Sequence, residues 1–403
     1  MKTILFVDDE PMVLQGLQRM LRRHRGTWDM SFAGSGAEAL AMLATKPFDA
    51  VVTDMRMPIM DGARLLELVR ERYPATIRIV LSGYFEDEAT VRAVPVAQQF
   101  LAKPCDPEKL HEALERSCGF ASVLPEVALR RVVGAIGKLP TLPRTSALLF
   151  EAMQKTDVPL KEISDIVERD VGITAKLMQL VNSAFFCLPY HVTSVRMAVN
   201  YLGLDTLKNL TLSVDLFRTM HPSRPIAGFS LEDLEKHSHR AAHIAAKLPA
   251  PDAVTAAGIV AALLHDTGKL VLAARLPREF QFALQASNAQ QRPLHLIERE
   301  QMGTTHAELG AYLLGLWGLP ALIVDAICRH HCPVAREGVR ELDVLAITHV
   351  ADGLASEVVR GPAQDAPAYD LLDHLYLAQL GLDARLPAWR EMAQQVHEES
   401  WGE

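Results

Sequence analysis

Apolar positions along the first 118 residues alternate between two periods. Short apolar runs suited to buried strands occur at Thr3–Val7, Asp29–Ala33, Ala50–Thr53, Ile77–Leu81 and Gln99–Ala102. Between them apolar residues recur at helical spacing. Behind Pro11, residues Val13, Leu14, Leu17, Met20 and Leu21 share one face, and similar patterns lie near Ala37–Ala44, Ala63–Arg72, Asp87–Val94 and Pro107–Arg116. Pro11 suits a first helical position, where a backbone N–H would have no partner anyway. Five β-α units of this kind predict an α/β doubly wound domain, a five-stranded parallel sheet with helices on both faces.

The pattern then changes. Gly119–Lys138 joins two halves, with helical spacing over Val123–Ile136 until Gly137 and the LPTLP run at 139–143 stop it. Further on, helical spacing predominates: Glu162–Arg169, Gly172–Asn182, Ser194–Leu202, Leu207–Phe217, Leu231–Lys247, Ala253–Leu264, Thr305–Leu316, Pro320–His331 and Leu342–Val359. Strand-like alternation is missing, which predicts an all-α domain packed by helix faces. After Gly361 the chain is polar and Pro-interrupted, and then Leu371, Leu372, Leu375, Leu377 and Leu380 suggest helices packing on that bundle. The expected division is 1–118, a helical joint at 119–138, 139–350, and an extension at 351–403.

Composition narrows the class without changing this division. Of 403 residues, 49% are hydrophobic and 22% charged, ordinary for a globular protein. The formal net charge of -8 disfavours a wide nucleic-acid surface. The first residues lack the layout of a signal peptide, and no apolar run approaches the roughly 18 residues needed to cross a bilayer. Five scattered cysteines fit a reducing cytoplasm better than a disulfide framework.

The first candidate chemistry sits where the strands end. Asp8 and Asp9 follow the first strand, Asp54 ends the third, Ser82 the fourth and Lys103 the fifth. Sites in open parallel sheets form beyond those carboxyl ends. Three converging carboxylates repel one another, and a hard cation such as Mg²⁺ relieves this. Lys103 adds a fixed positive charge and Ser82 a hydroxyl donor. Such a set suits phosphoryl transfer onto a carboxylate.

The segments FVDDE, TDMRMPIMDG, LSGY and FLAKP resemble the receiver domain of two-component response regulators, over about residues 1–118. The resemblance implies the flavodoxin-like strand order 2-1-3-4-5. It implies a histidine kinase as partner, Asp54 as phosphoacceptor, and Mg²⁺ held by Asp8, Asp9, Asp54 and the Arg56 carbonyl. Ser82 and Lys103 would contact the phosphate, Phe100 would switch rotamer on activation, and the Lys103–Pro104 bond would be cis.

The second candidate is LLHDTGKLVL at 263–272, where an apolar helix runs into His265-Asp266. An imidazole beside a carboxylate at a helix end can hold a divalent metal. It is equally ordinary helix-end chemistry, since the macrodipole favours histidine there and glycine follows as a stop. LPTLP at 139–143, IVERDVGITAKLMQLVNSAFF at 166–186, AVNYLGLDTLKNL at 198–210 and HAELGAYLLGLWGLP at 306–320 resemble an HDOD domain. That family is a helical relative of the HD metal-dependent phosphohydrolases, and its members act mostly as signalling or scaffolding modules.

His237, 28 residues upstream of His265, and Asp352 downstream would complete a His, His-Asp, Asp metal set. By resemblance to the HD-GYP phosphodiesterases, His306, His330 and His331 would serve a second metal, with iron, manganese or zinc as the candidates. Lys269 would then meet a substrate phosphate. Asp352 lies among Val350, Ala351 and Leu354 and needs a partner if buried; His349 is an alternative one. The chain departs from HD-GYP after His331, reading CPVAREGVREL with no Gly-Tyr-Pro, which counts against cyclic-dinucleotide recognition.

The expected function is therefore a cytoplasmic response regulator. Phosphorylation at Asp54 would change the contacts of the HDOD half with a downstream signalling protein or within a homodimer. The alternative is a phosphorylation-gated, metal-dependent HD-type phosphohydrolase, or a cyclic-dinucleotide phosphodiesterase or binder. No membrane partner is expected.

Overall fold

The computed structural model describes residues 1–82, 93, 95–120, 123–137, 139, 143–154, 158–183, 188, 191–213, 225–335, 341–360 and 370–401. Most of the expected helix Asp87–Val94, the Gly83–Tyr84 end of LSGY and the middle of LPTLP lie outside these residues. So do the two phenylalanines closing the 166–186 stretch and the last residues of the expected 207–217 helix.

The N-terminal half is the expected α/β domain. Strands β1 (Lys2–Val7), β2 (Trp28–Ala33), β3 (Ala50–Asp54), β4 (Ile77–Ser82) and β5 (Gln99–Ala102) are all parallel, in the order β2-β1-β3-β4-β5. Alternate side chains point to opposite faces, so Ile4, Phe6, Val52 and Ile79 fill one core while Leu5, Val7, Val51 and Val80 fill the other. Every residue of β3 and β4 is buried, as central strands covered on both faces require. Four helices described here cover the sheet: α1 (Pro11–Met20), α2 (Gly36–Thr45), α3 (Gly62–Arg72) and α4 (Pro107–Gly119). Ser35, Asp61 and Asp106 begin the last three by accepting the N–H groups of Glu38, Arg64 and Glu108. The Lys103–Pro104 peptide is cis.

The joint contains α5, Val127–Gly134, shorter than the spacing over 123–136 suggested. Glu126, following Pro125, is extended, so the helix cannot start earlier. At its other end a Cβ on Gly134 would overlap the Pro74 carbonyl, so the helix butts directly against the first domain.

Beyond it the described residues contain helices and no strand. They are α6 (Pro143–Gln154), α7 (Leu160–Val167), α8 (Val171–Val181), α9 (Val195–Ser213), α10 (Leu231–Lys247), α11 (Asp252–Leu264) and α12 (Thr267–Arg275). There follow α13 (Pro277–Gln290), α14 (Leu294–Met302), α15 (His306–Leu316), α16 (Ala321–Arg329), α17 (Val344–Arg360), α18 (His374–Gln379) and α19 (Leu386–Trp401). Apolar spacing had pointed to neither α6 nor the run α12 to α14. Leu372, just ahead of α18, and Tyr376, Leu377 and Trp389 of the tail helices join a core shared with Ile347, Val350 and Leu354.

One composition-based expectation needs correction. Asp252–Arg275, comprising α11 and α12, is long and apolar enough to cross a membrane by length and hydropathy. Its most apolar window is 83% buried inside the protein, so its apolarity is explained by the surrounding helices.

The two halves share one apolar core: Leu110 and Leu114 of α4 pack in the same cluster as Leu309 and Leu313 of α15. The buried Gln179 side chain donates to the carbonyls of Ala97 and Gln98, at 3.2 and 3.1 Å.

Candidate phosphoacceptor and metal sites

The carboxyl ends of β1, β3 and β5 bring Asp8, Asp54 and Lys103 together. Asp8 and Asp54 are buried. Lys103 Nζ donates to Asp8 Oδ2 at 2.8 Å and forms an ion pair with Asp54. The Arg56 N–H donates to Asp54 Oδ2 at 2.6 Å, and the Glu10 N–H to Asp8 Oδ1 at 3.0 Å. Burial works against the Lys103 ammonium, but its hydrogen bonds to Asp54 and Asp8 outweigh this and raise its pKa. Ser82 is buried at the end of β4, and Phe100 is fully buried within β5. Asp9 follows Asp8 at the rim, half-buried. Gly62 opens α3 directly against the Asp54 backbone, where a Cβ would overlap the Asp54 carbonyl. That contact explains why the segment reads Met-Asp-Gly.

In the helical half, six helices deliver the second set. His237 lies on α10. His265 closes α11 and Asp266 opens α12. His306 is the first residue of α15, His330 and His331 close α16, and Asp352 lies within α17. The structure thus brings together all seven residues singled out in sequence. His265 and His330 are fully buried, and Asp266, His306 and Asp352 nearly so.

The donor atoms form three overlapping groups, His237/His265/Asp352, His265/Asp266/His330 and His306/His330/His331, each with its atoms within 4.8 Å of one another. Two carboxylates each face two histidines. Asp266 is 3.4 Å from His265 Nε2 through one oxygen and 3.3 Å from His306 Nε2 through the other. Asp352 is 3.1 Å from His237 Nε2 and 3.6 Å from His331 Nδ1 in the same way. His237 and His265 face each other Nε2 to Nε2 at 3.2 Å, and His306 and His331 at 2.9 Å. Donors around one tetrahedral ion with bonds of 2.0–2.1 Å stand about 3.3 Å apart, so these spacings suit a metal.

Two further observations fit a metal. His265 Nδ1 lies 2.6 Å from the Ala262 carbonyl and His330 Nδ1 2.7 Å from that of Ile327. Donation there uses Nδ1, so Nε2 is the nitrogen that each ring turns toward the cluster. Asp266 Oδ1, His330 Nε2 and His331 Nδ1 are buried inside the cluster without a hydrogen bond. For His265, burial disfavours charge, yet Asp266 and Asp352 outweigh it and push its pKa up to about 10. Burial pushes His330 down to about 3 and lowers His237. Asp266 and Asp352 resist the effect of burial and stay well below the usual carboxylate range, held there by Lys269 and His265 and by His237 and His265 respectively.

Around this cluster lies a cavity of about 270 Å³. Its lining combines the polar His237, Asp266, Lys269, His306, His331 and Asp352 with the apolar Phe229, Phe280, Leu284, Leu294 and Leu371. Lys269 Nζ donates to Asp266 Oδ2 at 2.6 Å.

Two participants escaped the sequence reading, both on α14. Glu298, fully buried, accepts from His306, and the His295 ring stacks on His331 with centroids 4.3 Å apart. Their signal was a histidine and a glutamate three apart in LHLIERE, facing the same side of a helix not expected there. His349, considered as a partner of Asp352, is engaged elsewhere. Its Nδ1 faces the His330 carbonyl at 2.7 Å and its Nε2 accepts from the Asp373 N–H at 2.8 Å. His239 and His243 share α10 with His237 but line a different cavity, of about 320 Å³.

Residues 4–115 match the response regulator receiver domain family and residues 139–333 the HDOD domain family. An uncharacterized protein of Treponema pallidum (strain Nichols) is 27% identical over 203 residues, 50% of this chain and 39% of that protein. The hydrogenase transcriptional regulatory protein HoxA of Cupriavidus necator is 35% identical over 117 residues, 28% of this chain and 24% of HoxA. The chain therefore spans well under half the length of these two relatives. Among solved structures, the MmoQ response regulator of Methylococcus capsulatus (strain Bath) is 23% identical, with a TM-score of 0.48, covering 63% of this chain and 98% of that one.

Proposed function

This chain belongs to the response regulators that pair a receiver domain with an HDOD domain, and on that premise we propose that a histidine kinase phosphorylates Asp54 to control the helical half. The observation that carries this reading is the meeting of Asp8, Asp54 and Lys103 at one end of the sheet. An Asp54 oxygen attacks the phosphorus of a phosphohistidine, and the P–N bond breaks as the P–O bond forms. Asp8, Asp9, Asp54 and the Arg56 carbonyl would hold Mg²⁺, which neutralises charge on the phosphoryl oxygens. Lys103 exchanges a carboxylate contact for a phosphoryl oxygen, and the Ser82 hydroxyl donates to another. The added charge then alters how the HDOD half meets a downstream protein or a second copy. Treating the protein with acetyl phosphate and Mg²⁺ should add one phosphoryl group to the peptide containing Asp54. A mass shift that persists in Asp54→Ala would refute the assignment.

The seven-residue cluster favours a second reading for the same half, that of a metal-dependent phosphohydrolase. His237, His265, Asp266, His306, His330, His331 and Asp352 would hold iron, manganese or zinc. Bound there, the metals would polarise a phosphoryl oxygen and lower the pKa of water. Lys269 lies in the cavity wall where it can meet a phosphoryl oxygen, and Glu298 orients His306. Phe229, Phe280 and Leu284 add apolar surface to the cavity wall. Elemental analysis of protein purified without added metal, followed by uptake measurements, tests this reading. Absence of metal and of uptake sinks it, whereas bound metal without phosphodiester turnover leaves the protein-contact output.

A further inference from the structure

The helices α12 and α15 each carry a cluster residue at one end and a receiver-side contact at the other. Asp266 precedes α12, and Arg275 ends it. His306 begins α15, and Leu316 ends it. At the far end of α12, Arg275 Nη2 donates to the Ala135 carbonyl of the joint at 2.8 Å. Its neighbour, the Gly134 carbonyl, accepts from Arg78 Nη2 of β4 at 2.7 Å. At the far end of α15, the Leu316 carbonyl accepts from Gln99 Nε2 of β5 at 2.9 Å. The Gln99 amide also fills the turn at Gly318, where a Cβ would meet Gln99 Nε2 at 2.6 Å and where the positive φ of 82° itself favours glycine.

The same two strands reach the phosphoacceptor pocket. On β4, Arg78 lies four residues from Ser82, and on β5, Gln99 lies four residues before Lys103. At about 3.3 Å per residue each strand spans roughly 13 Å between its pocket residue and its contact with the helical half. The helices continue for about 13 and 16 Å at 1.5 Å per residue. Near the cluster α12 and α15 cross backbone to backbone: a Cβ on Gly268 would overlap the His306 carbonyl, and Gly310 lies against Gly268. A crossing that tight acts as a pivot, so displacement of either far end rotates one helix against the other. The residues flanking this crossing in sequence, Asp266 and His306, stand 3.3 Å apart through Oδ1 and Nε2.

We infer that α12 and α15 are paired struts that transmit the phosphorylation state of Asp54 to the cluster, as a change in the placement of Asp266 against His306. One strut runs from Ser82 through β4, Arg78, the Gly134–Ala135 carbonyls and Arg275. The other runs from Lys103 through β5, Gln99 and Leu316. The inference rests on Asp54 being the phosphoacceptor, and it gives the cluster a controlled state whether the output is catalysis or contact with a partner. Such transmission requires a two-position element that both sites bias, which the inference places at the Gly268–Gly310 crossing.

Hydrogen exchange on the full chain tests this, with beryllofluoride and Mg²⁺ mimicking the acyl phosphate. In the wild type, exchange should change in peptides covering 267–275 and 306–316. In Gln99→Ala/Arg275→Ala those changes should vanish, while the receiver peptides still respond. Arg275→Gln alone, at an exposed position, should abolish the 267–275 change even if the double variant is unstable. An undiminished response in these variants would overturn the proposal, as would a wild-type response confined to the receiver. Receiver peptides that do not respond would refute the phosphoacceptor reading and the struts with it. A parallel Zn²⁺ titration against a chromophoric chelator should show a roughly five-fold or larger change in affinity between the two states. Complete failure to bind Zn²⁺ would refute the metal reading alone, with the exchange result still deciding the struts.

Discussion

Glu298 and His306 form a buried pair in which one carboxylate oxygen serves two nitrogens of the same residue. Glu298 Oε2 lies 2.8 Å from the His306 backbone N–H and 2.6 Å from its ring Nδ1. A carboxylate behind a ligating histidine fixes the tautomer and increases the basicity of the other nitrogen. Glu298→Gln should therefore weaken Zn²⁺ binding by about 10–100-fold, while far-ultraviolet circular dichroism stays unchanged. Equal Zn²⁺ affinity in the variant would show that α14 has no part in the metal site.

Gly62 should tolerate no larger residue. An alanine Cβ would meet the Asp54 carbonyl, a backbone atom that cannot rotate away. Gly62→Ala is expected to cost about 2–4 kcal/mol in urea unfolding and to slow phosphorylation by acetyl phosphate, because α3 must shift at the phosphoacceptor. Gly16→Ala is the control, since a Cβ there meets nothing within 4 Å.

Arg78 is fully buried and bonds to main-chain carbonyls from three segments: Val96 at 2.7 Å, Thr76 at 3.1 Å and Gly134 at 2.7 Å. Its removal leaves these carbonyls without their donor and opens a cavity. Arg78→Ala should lose about 3–5 kcal/mol of stability and make the joint around 119–138 more susceptible to limited proteolysis. Arg78→Lys should recover little, because one ammonium cannot reproduce the spread of the guanidinium. Full recovery by lysine would contradict the bridging role.

His239 provides a pH test away from the metal cluster. Burial, reinforced by His243, Arg169 and Arg240, pushes its imidazole from 6.5 down to about 4. Between these values the unfolded chain binds a proton that the folded chain does not, so stability falls as pH drops from 6.5 to 4 and is fully present above 6.5. The expected loss from this group is about 3 kcal/mol. Urea midpoints at pH 7.5, 5.5 and 4.5 should fall less steeply in His239→Gln than in the wild type. Parallel slopes would place the acid sensitivity elsewhere.

The chain's order alone determined the β-α alternation, the helical second half and the acids at the strand ends. Those features follow from local periodicity and from the rule that a parallel strand presents its last residues at one rim. Asp8, Asp54 and Lys103 could be assigned to one pocket because neighbouring parallel strands align their ends. The ends of α5 were less legible, because Pro125 and the close approach of Gly134 to Pro74 set them.

Tertiary structure decided the rest. Residue types nominated His237, His265 and Asp352, but 115 residues separate the first from the last, and only the packing of α10, α11 and α17 brings them together. Spacing along the chain could not choose between His349 and the cluster as the partner of Asp352, because both lie within reach of a helical side chain. The fold settles it by turning His349 toward the His330 carbonyl and the Asp373 N–H. Glu298 and His295 were hidden for the same reason: a polar residue on an amphipathic helix looks solvated until another helix covers it. Convergence of donors is a property of helix packing, which no single stretch of sequence encodes.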